Sequence, residues 1–428
     1  MIENPKKTTG NKRLFVLVSC MIALAVAQYS CYGQASSSPG KAEDVIYFSV
    51  KNHLDQSREN SLIVLDPSVL SEVNFSERSR LRIFLGENEI PSQWNEKGPE
   101  KGLAFVLPTI GPSETLELRI VQDDSSKRPD YNKRTQAELS HKFGGEFKDR
   151  EYIGGYFENV DSLHVPAEHT DHSWFIRYEG PGWESDLVGY RFYLDWRNGI
   201  DVFGKKVKSP VLQDVGQDGF DSYHEPAEWG MDVLKVGKTL GLGSIATWEN
   251  GKARRVDVTD SLYAEITNNG AVYSSVLTNY YGWDLPSGKT DLRAEIAIHA
   301  GTRLSKMDLI SSNEIPNFAT GLIKDPKAEL MQSNSDLEFG YIATYGSQSL
   351  AGDKLGIAVI YPTSKLKEIT EDELSHVLVF DARDQELSYY FLAAWEQEPG
   401  GITSKEEFKN YLEMEIVKLS NPLEISIK

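Results

Sequence analysis

The chain has 428 residues, of which 40% are hydrophobic, so it can bury a sizeable core, and its length favours two domains. Its 64 acidic residues outnumber its 45 lysines and arginines, which gives a formal net charge of −19 at pH 7. This charge argues against nucleic acid and anionic membrane surfaces as partners. An anionic substrate would need a local cationic pocket.

Residues 1–27 have the pattern of a secretory signal peptide, with a charged start, an apolar run at 14–27 and small residues before the cleavage point. The run is too short to span a membrane comfortably, and no other segment is apolar enough to do so. We expect cleavage after Ala27 and export, most simply to the periplasm. Cys31 leaves lipid anchoring as an alternative. No disulfide within the chain is expected, because Cys31 is the single cysteine after residue 27.

The rest of the chain is predicted to be all-β. Residues 28–43 form a flexible leader, and 44–122 alternate apolar and polar residues in short runs, as in a small antiparallel β-sandwich. A polar stretch at 123–134 containing Pro129 marks a linker. Residues 135–428 are expected to form a large β-rich catalytic domain, a second sandwich with a few peripheral helices. A supersandwich of the kind found in mutarotase-like and lyase domains is plausible by analogy of fold class.

Two hairpins and one helix can be placed within the large domain. Asn250-Gly251 and Asn269-Gly270 each stand between β-type runs, where Asn-Gly favours a type I′ turn. The residues 403–406, TSKE, predict a capping box. Apolar residues then recur at helical spacing, so a helix should begin there and cover a sheet edge or end.

Histidines are the first candidates for catalysis, since the sequence lacks the glycine-rich nucleotide-binding motifs and the GxSxG nucleophile motif. His164, His169 and His172 lie with several carboxylates in a segment that Pro166 marks as a loop, and His224 follows Tyr223 further on. The first three could bind a divalent metal. They could equally transfer protons or make ordinary hydrogen bonds on a solvated loop. No cofactor is otherwise predicted.

Residues 174–205 interleave cationic and aromatic side chains. Guanidinium groups bind carboxylates or sulfates in a bidentate manner, and aromatic rings stack on sugars, so this segment is the best candidate for the cationic pocket. The alternative is a pair of core strands with aromatic residues inside and charges at the surface. The candidate substrate-binding residues are Arg177, Trp183, Tyr190, Arg191 and Lys205.

Three long strings carry a resemblance to a known family: GPGWESDLVGYRFYLDWRNGIDVFGK (180–205), YHEPAEWGMDVLKVGKTLGLG (223–243) and YYFLAAWEQEPG (389–400). With them the chain resembles a bacterial family of domains of unknown function often placed among polysaccharide-utilisation proteins, from about residue 44 to the C-terminus. Within that family it is most similar to the oligosaccharide dehydratases of marine bacteria that degrade ulvan.

The resemblance implies a carbon–oxygen lyase that removes water from a glucuronic or iduronic acid at the non-reducing end of an oligosaccharide containing sulfated rhamnose. The partner would be a carboxylated and sulfated oligosaccharide, and the product a 4,5-unsaturated uronyl end. For this chemistry we assign carboxylate or sulfate binding to Arg177 and Arg191, with Tyr190 nearby. We assign proton transfer to one or more of the four histidines or to Tyr223. This assignment rests only on the chemistry of these side chains and on their clustering in the sequence.

Two other functions fit the same residues. A polysaccharide lyase would abstract the same proton but expel a sugar instead of water. A non-catalytic carbohydrate-binding protein would use the aromatic residues and would not need the histidines.

Overall fold

The computed structural model describes residues 45–70, 80–122, 130–219, 221–334 and 336–428. The predicted signal peptide, the leader and Cys31 lie outside these residues. The described residues belong to one compact unit. They contain no helix long and apolar enough to cross a membrane.

The described part of segment 44–122 forms a small sandwich of two antiparallel sheets, completed by a strand from the C-terminus. Its sequence alternates as half-buried strands require: Ile46, Phe48 and Val50 point into the core and their neighbours point outward. Phe48 meets Phe105 of the facing sheet edge-on, with ring centroids 6.0 Å apart. One sheet has the order β29-β1-β7-β3-β4 and the other β2-β6-β5. Their strands are β1 (Val45–Lys51), β2 (Arg58–Leu65), β3 (Leu81–Leu85), β4 (Asn88–Ile90), β5 (Ser92–Asn95), β6 (Gly102–Ile110), β7 (Thr115–Gln122) and β29 (Glu424–Ile427).

A nine-stranded antiparallel sheet forms the centre of the large sandwich. Its order is β11-β18-β19-β20-β21-β28-β25-β24-β23. Buried aromatic residues from its long strands, such as Trp283 and Phe391, lie in the main core. Its strands are β11 (Ser162–His164), β18 (Ser261–Asn269), β19 (Tyr273–Leu285), β20 (Gly288–His299), β21 (Ser305–Ser311), β23 (Ala328–Gln332), β24 (Phe339–Gly346), β25 (Leu355–Pro362) and β28 (Glu386–Trp395).

Two five-stranded sheets share the main core with the nine-stranded sheet. The first covering sheet contributes Trp183, Tyr190 and Val202, and the second contributes Phe318 and Phe380. The first has the order β15-β14-β13-β12-β8 and the second β17-β16-β22-β27-β26. Their strands are β8 (Thr135–Glu138), β12 (Gly182–Ser185), β13 (Val188–Phe192), β14 (Ile200–Lys205), β15 (Gly230–Asp232), β16 (Ala246–Glu249), β17 (Lys252–Arg255), β22 (Phe318–Ile323), β26 (Leu366–Glu371) and β27 (Ser375–Phe380). The predicted all-β fold of a small and a large sandwich is therefore confirmed.

The predicted C-terminal helix is present as α1 (Lys405–Ser420), but it lies against the face of the nine-stranded sheet and not at an edge or end. Its N-cap is Ser404, whose Oγ accepts from the backbone N–H of Glu407, so the capping box starts one residue later than predicted. Phe408 packs directly over Gly356 of β25, where a Cβ atom would stand 2.7 Å from the ring. The missing side chain lets the helix approach the sheet.

The two predicted hairpins differ in their turns. Asn250 and Gly251 both have positive φ, 50° and 74°, and join β16 to β17 as a tight turn. The second hairpin joins β18 to β19, but Asn269 ends β18 and pairs with Ser274, and Gly270 does not have positive φ. The loop there is longer, and the N–H of Gly270 donates to the carbonyl of Tyr273.

A two-stranded ribbon stands apart from the larger sheets. It consists of β9 (Ser140–Lys148) and β10 (Glu151–Asn159), and Gly145 lies opposite Gly154 within it. Phe147 and Tyr152 of the ribbon pack on Phe175, with ring centroids 5.2 and 5.0 Å away. The ribbon therefore adjoins the loop that carries His169 and His172.

Candidate active site

Three connections between strands converge on a cluster of buried charges. They are the long loop from β11 to β12, the turn from β13 to β14, and the irregular segment from β14 to β15. Each carries polar residues that reach the edge of the first covering sheet, whose own strands contribute Arg191, Asp201 and Asp232.

Arg191 is the centre of this cluster. Its side chain is buried, and its Nη2 lies 2.7 Å from a carboxylate oxygen of Asp201 and 2.7 Å from one of Asp232. Its Nη1 donates to the hydroxyl of Tyr223 at 2.8 Å, and Nη2 also lies 2.9 Å from the hydroxyl of Tyr193. These four partners hold the guanidinium rigidly, and the carboxylates supply its countercharge.

His224 connects this buried cluster to solvent. Its Nε2 lies 3.2 Å from Oδ2 of Asp232, and 41% of the side chain is exposed. The hydrogen bond to Asp232 raises the pKa of His224 and outweighs partial burial, which acts in the opposite direction. With Nε2 bound to the carboxylate, Nδ1 is the ring nitrogen left to face a ligand. A histidine oriented by a buried carboxylate in this way is suited to proton transfer near neutral pH.

Arg197 organises a second group of carboxylates next to the first. Its guanidinium lies 2.9 Å from Asp171 and 2.8 Å from Glu179, and it also binds Asp195. Glu179 accepts from the backbone N–H of His172 at 2.9 Å and approaches Arg191 to 3.9 Å. Burial opposes ionisation of Glu179, but Arg197 and Arg191 outweigh it and hold its pKa below the usual value. Glu179 thus links His172 to the Arg191 cluster.

The loop bearing His172 has an unusual backbone. His172, Trp174, Tyr178 and Glu179 all have positive φ, at 58°, 50°, 39° and 71°. Aromatic residues seldom adopt this region, and such conformations persist where the surroundings impose them, commonly at functional sites. Here the Glu179 carboxylate, which binds both Arg197 and the His172 backbone, supplies that constraint.

Residues 50–425 match the family described as "Domain of unknown function (DUF4861)". The chain belongs to the DUF4861 family. No curated protein matches the sequence significantly.

Solved structures that match the chain include two proteins from Enterococcus faecalis. One is an alpha-mannosidase, with a TM-score of 0.41 and 8% identity over 90% of this chain and 46% of that one. The other is a protein in Glycosyl Hydrolase Family 38, with a TM-score of 0.40 and 9% identity over 90% of this chain and 47% of that one. The DUF4861 chain spans about half the length of either.

Of the residues proposed for catalysis, Tyr223 and His224 lie in the Arg191 cluster of this DUF4861 protein, and His172 lies beside Arg197. His169 is buried below them; burial lowers its pKa, and its Nδ1 pairs with Ser173 at 2.9 Å. His164 lies elsewhere, on edge strand β11, where its ring contacts Tyr263. The structure therefore does not bring the three loop histidines together as a metal site.

A different trio, Asp171, His172 and Glu179, has its ligand atoms within 4.8 Å of one another. Because Arg197 binds both carboxylates of this trio, its guanidinium supplies the positive charge that a metal would bring. A divalent cation would have to compete with this guanidinium for both carboxylates, so the trio does not fit such an ion well.

Four of the proposed substrate-binding residues lie in the core of the DUF4861 fold. Arg177 is fully buried and paired with Glu138, and Lys205 is fully buried and binds Glu184 at 2.5 Å. Trp183 donates to Ser305 at 2.8 Å, and Tyr190 donates to the carbonyl of Arg303 at 2.6 Å. These four residues fit the alternative interpretation of the segment, in which core strands bury their aromatic residues. They differ from it in one respect, because the charged side chains of Arg177 and Lys205 are buried as well. Arg191 alone joins the site, as its buried support.

Several residues of the site were not singled out from the sequence. Asp232 and Arg197 lie within the sequence strings quoted above. Their side-chain chemistry can be read from the sequence, but the residues that they contact in the fold cannot. Glu179 directly precedes Gly180, Pro181 and Gly182, in a segment whose cations drew attention and whose carboxylates did not.

A cavity of about 740 Å³ lies away from this cluster, where the small sandwich faces β20 and α1. Three of its cations are paired with carboxylates, Arg134 with Asp186, Arg303 with Glu398 and Lys306 with Glu100, and no histidine or tyrosine proposed for catalysis lines it. We therefore place the candidate active site at the Arg191 cluster.

Proposed function

We propose that this protein is an oligosaccharide dehydratase, which eliminates water from a uronic acid at the non-reducing end of an anionic oligosaccharide. Glucuronate or iduronate linked to sulfated rhamnose, as in ulvan, is the substrate that the quoted sequence strings favour. The observation that supports an enzyme here is the solvent-facing His224 bound to the buried carboxylate of Asp232. The predicted export signal would place the reaction outside the cytoplasm.

The elimination needs a base and an acid. The base takes the proton from C5, next to the carboxylate, and the electron pair of that C–H bond forms the C4=C5 double bond. The C4–O bond breaks, and the departing oxygen takes a proton from the acid and leaves as water. Negative charge builds on the carboxylate in the transition state, so a nearby cation accelerates the step.

We assign the acid to His224 and the base to His172. Because Asp232 raises the pKa of His224, its ring holds a proton to higher pH than an ordinary histidine does, as a general acid requires. Tyr223 is a poor base, because burial raises the pKa of its hydroxyl and its oxygen accepts from Arg191. His172 is 60% exposed on the side chain and lies beside Asp171, with 3.7 Å between Nδ1 and Oδ1.

The test is mass spectrometry of a saturated, uronate-ended oligosaccharide incubated with the purified protein. Loss of one water with the chain length intact supports the dehydratase. Shortening of the chain instead identifies a polysaccharide lyase or a hydrolase. No change in mass, with binding retained, identifies a carbohydrate-binding protein.

Replacing the proposed acid gives a sharper form of this test. His224→Ala should lower kcat by roughly 10²- to 10⁴-fold, the usual contribution of a general acid or base. Its fold should be unaffected, since the side chain is half exposed. His53→Ala is the matched control, because His53 lies on the small sandwich and pairs with Glu424 at its surface. Equal activity of the two variants would remove His224 from the mechanism.

A further inference from the structure

Lys142 is a buried cation without a carboxylate partner. Its residue surface is 7% exposed, and among the described residues its Nζ makes no hydrogen bond or ion pair. It lies instead over aromatic rings, 3.5 Å from the centroid of Trp174 and 5.3 Å from that of Phe157. Burial lowers the pKa of Lys142, and no neighbouring carboxylate offsets this effect.

The other buried cations of the described chain are satisfied. Arg177, Lys205 and Arg303 each bind a buried glutamate, and Arg191 binds two aspartates. Arg58 donates to Asn52 and to two backbone carbonyls. A buried charge without a partner costs free energy that a cation–π contact offsets only in part. In a chain with 64 acidic residues, the lack of a carboxylate here is therefore informative.

The position of Lys142 connects it to the candidate active site. It lies on β9, and its backbone N–H donates to the carbonyl of Phe175 at 2.9 Å. The ring beneath its ammonium, Trp174, follows His172 by two residues in the loop with positive φ, and 36% of its surface is exposed. Trp174 also approaches Gly219 of the segment that leads to His224.

We propose that Lys142 and Trp174 form the subsite that binds an anionic group on the terminal sugar, with the ammonium pairing with the anion. This inference rests on the proposed function for the class of ligand, a carboxylated or sulfated sugar. It replaces Arg177 and Arg191 in that role, because their guanidinium groups are buried against protein partners. A carboxylate at this subsite would place the ammonium where charge builds during proton abstraction at C5.

The test measures binding by calorimetry to the His224→Ala protein, so that no turnover is needed. Three ligands are compared: a uronate-ended oligosaccharide, the same oligosaccharide with that carboxyl reduced to an alcohol, and the uronate-ended form without sulfate. Lys142→Met should weaken binding of the first about 10- to 100-fold, the effect of losing a hydrogen bond to a charged group, and leave binding of the second unchanged. If Lys142→Met weakens binding of the third ligand but not of the second, the carboxylate is the anion; if it weakens binding of the second but not of the third, the anion is the sulfate.

Lys148→Met, an exposed lysine of the same strand, is the matched control and should bind all three ligands normally. Lys142→Met should be at least as stable to urea as the parent, because it removes a buried charge that has no partner. Equal affinity of Lys142→Met and the parent for the first ligand overturns the proposal. So does a loss of kcat in the active enzyme with unchanged affinity, since Lys142 would then act in the reaction step and would not bind the anion of the substrate.

The result separates this inference from the proposed function. A charge-dependent loss of binding in a protein that shows no dehydration would support the subsite and reject the dehydratase. Dehydration by a Lys142→Met enzyme with normal kcat and KM would support the dehydratase and reject the subsite. If the parent protein binds none of the three ligands, both proposals fail.

Discussion

Asp232 accepts from two cations at the same carboxylate oxygen, Arg191 from the buried side and His224 from the solvent side. The carboxylate is 1% exposed, so water screens neither contact well. The Arg191 guanidinium keeps this carboxylate in one orientation through its further bonds to Asp201 and the two tyrosines. His224 therefore has a fixed partner that favours its protonated form.

The first prediction concerns the pH dependence of activity. If His224 is the acid, its ring must be protonated, so kcat/KM should fall on the alkaline side as pH rises through its pKa, which Asp232 raises above the usual value. Asp232→Asn removes the raising charge, so this alkaline limb should move to lower pH. The limb is measured from pH–rate profiles, and NMR titration of His224 follows the same shift without turnover. An alkaline limb at the same pH in both proteins would show that another group titrates.

The same group affects stability with a defined sign. A histidine whose pKa is raised by folding stabilises the protein fully below its unfolded pKa of about 6.5, and this contribution disappears as pH rises through the folded pKa. The stability difference between the parent protein and His224→Ala should therefore be larger at mildly acidic pH than at alkaline pH.

The second prediction concerns Lys205, which we place in the core. Its Nζ binds Glu184 and the carbonyl of Ser185, and both members of the ion pair are fully buried. Lys205→Met leaves the Glu184 carboxylate buried without a cation, so the free energy of unfolding in urea should fall by about 3–5 kcal/mol. The affinity of the folded variant for the oligosaccharide should not change.

The double variant Glu184→Gln, Lys205→Met is the control. Glutamine keeps an oxygen that can accept from the backbone N–H groups of Val211 and Leu212, as Glu184 does now, and no buried charge remains. Most of the lost stability should therefore return. A variant of normal stability with weakened oligosaccharide binding would return Lys205 to the substrate site.

At the scale of single elements, the sequence predicted those features that local chemistry determines. Strand alternation gave the class of fold, and the Asn250-Gly251 turn and the start of α1 follow from the conformational preferences of a few adjacent residues. At Asn269 and Gly270 the same local signal failed. The structure stabilises the longer loop there through Gln93 of the small sandwich, whose Oε1 accepts from the N–H groups of Val272 and Tyr273. Tertiary contacts thus overrode a local preference.

The sequence predicted which segments of the chain contribute to the candidate site, but not which residues of those segments form it. Strands β12, β13 and β14 are buried on both faces, so alternation could not distinguish an arginine of the site from one in the core. Arg177 and Arg191 have the same chemistry and similar aromatic neighbours in the sequence. What separates them is that Glu138 of β8 meets the first and Asp232 of β15 meets the second. These strands lie at opposite edges of one sheet, and their order is not encoded locally.

At the scale of the whole molecule, the chain closes on itself. Strand β29 pairs with β1, with Phe48 opposite Ile427 and Lys51 opposite Glu424, so the C-terminus completes the sheet that β1 begins. The small sandwich also contacts the large one directly, since Gln93 bonds to the backbone of Val272 and Tyr273. Both contacts join residues far apart in sequence. The two sandwiches should consequently unfold together.

The third prediction tests this closure by removing residues 422–428. The truncation deletes the β1–β29 pairing and the contact of Leu423 with the small core, and leaves β1 as an open sheet edge. With about 1 kcal/mol net for each lost hydrogen bond, the free energy of unfolding should fall by roughly 2–4 kcal/mol.

Urea denaturation followed by both fluorescence and circular dichroism measures this change, and both signals should shift together as one transition. Glu424→Gln is the control: it removes the charge of the surface pair with His53 but keeps the strand pairing, so it should change stability by less than about 1 kcal/mol. Two separated transitions in the truncated chain would show that β29 joins sandwiches that unfold independently. In that case the small sandwich would be the part that the truncation destabilises, and the candidate active site, whose residues all lie in the large one, should keep its oligosaccharide affinity at urea concentrations that unfold the small one.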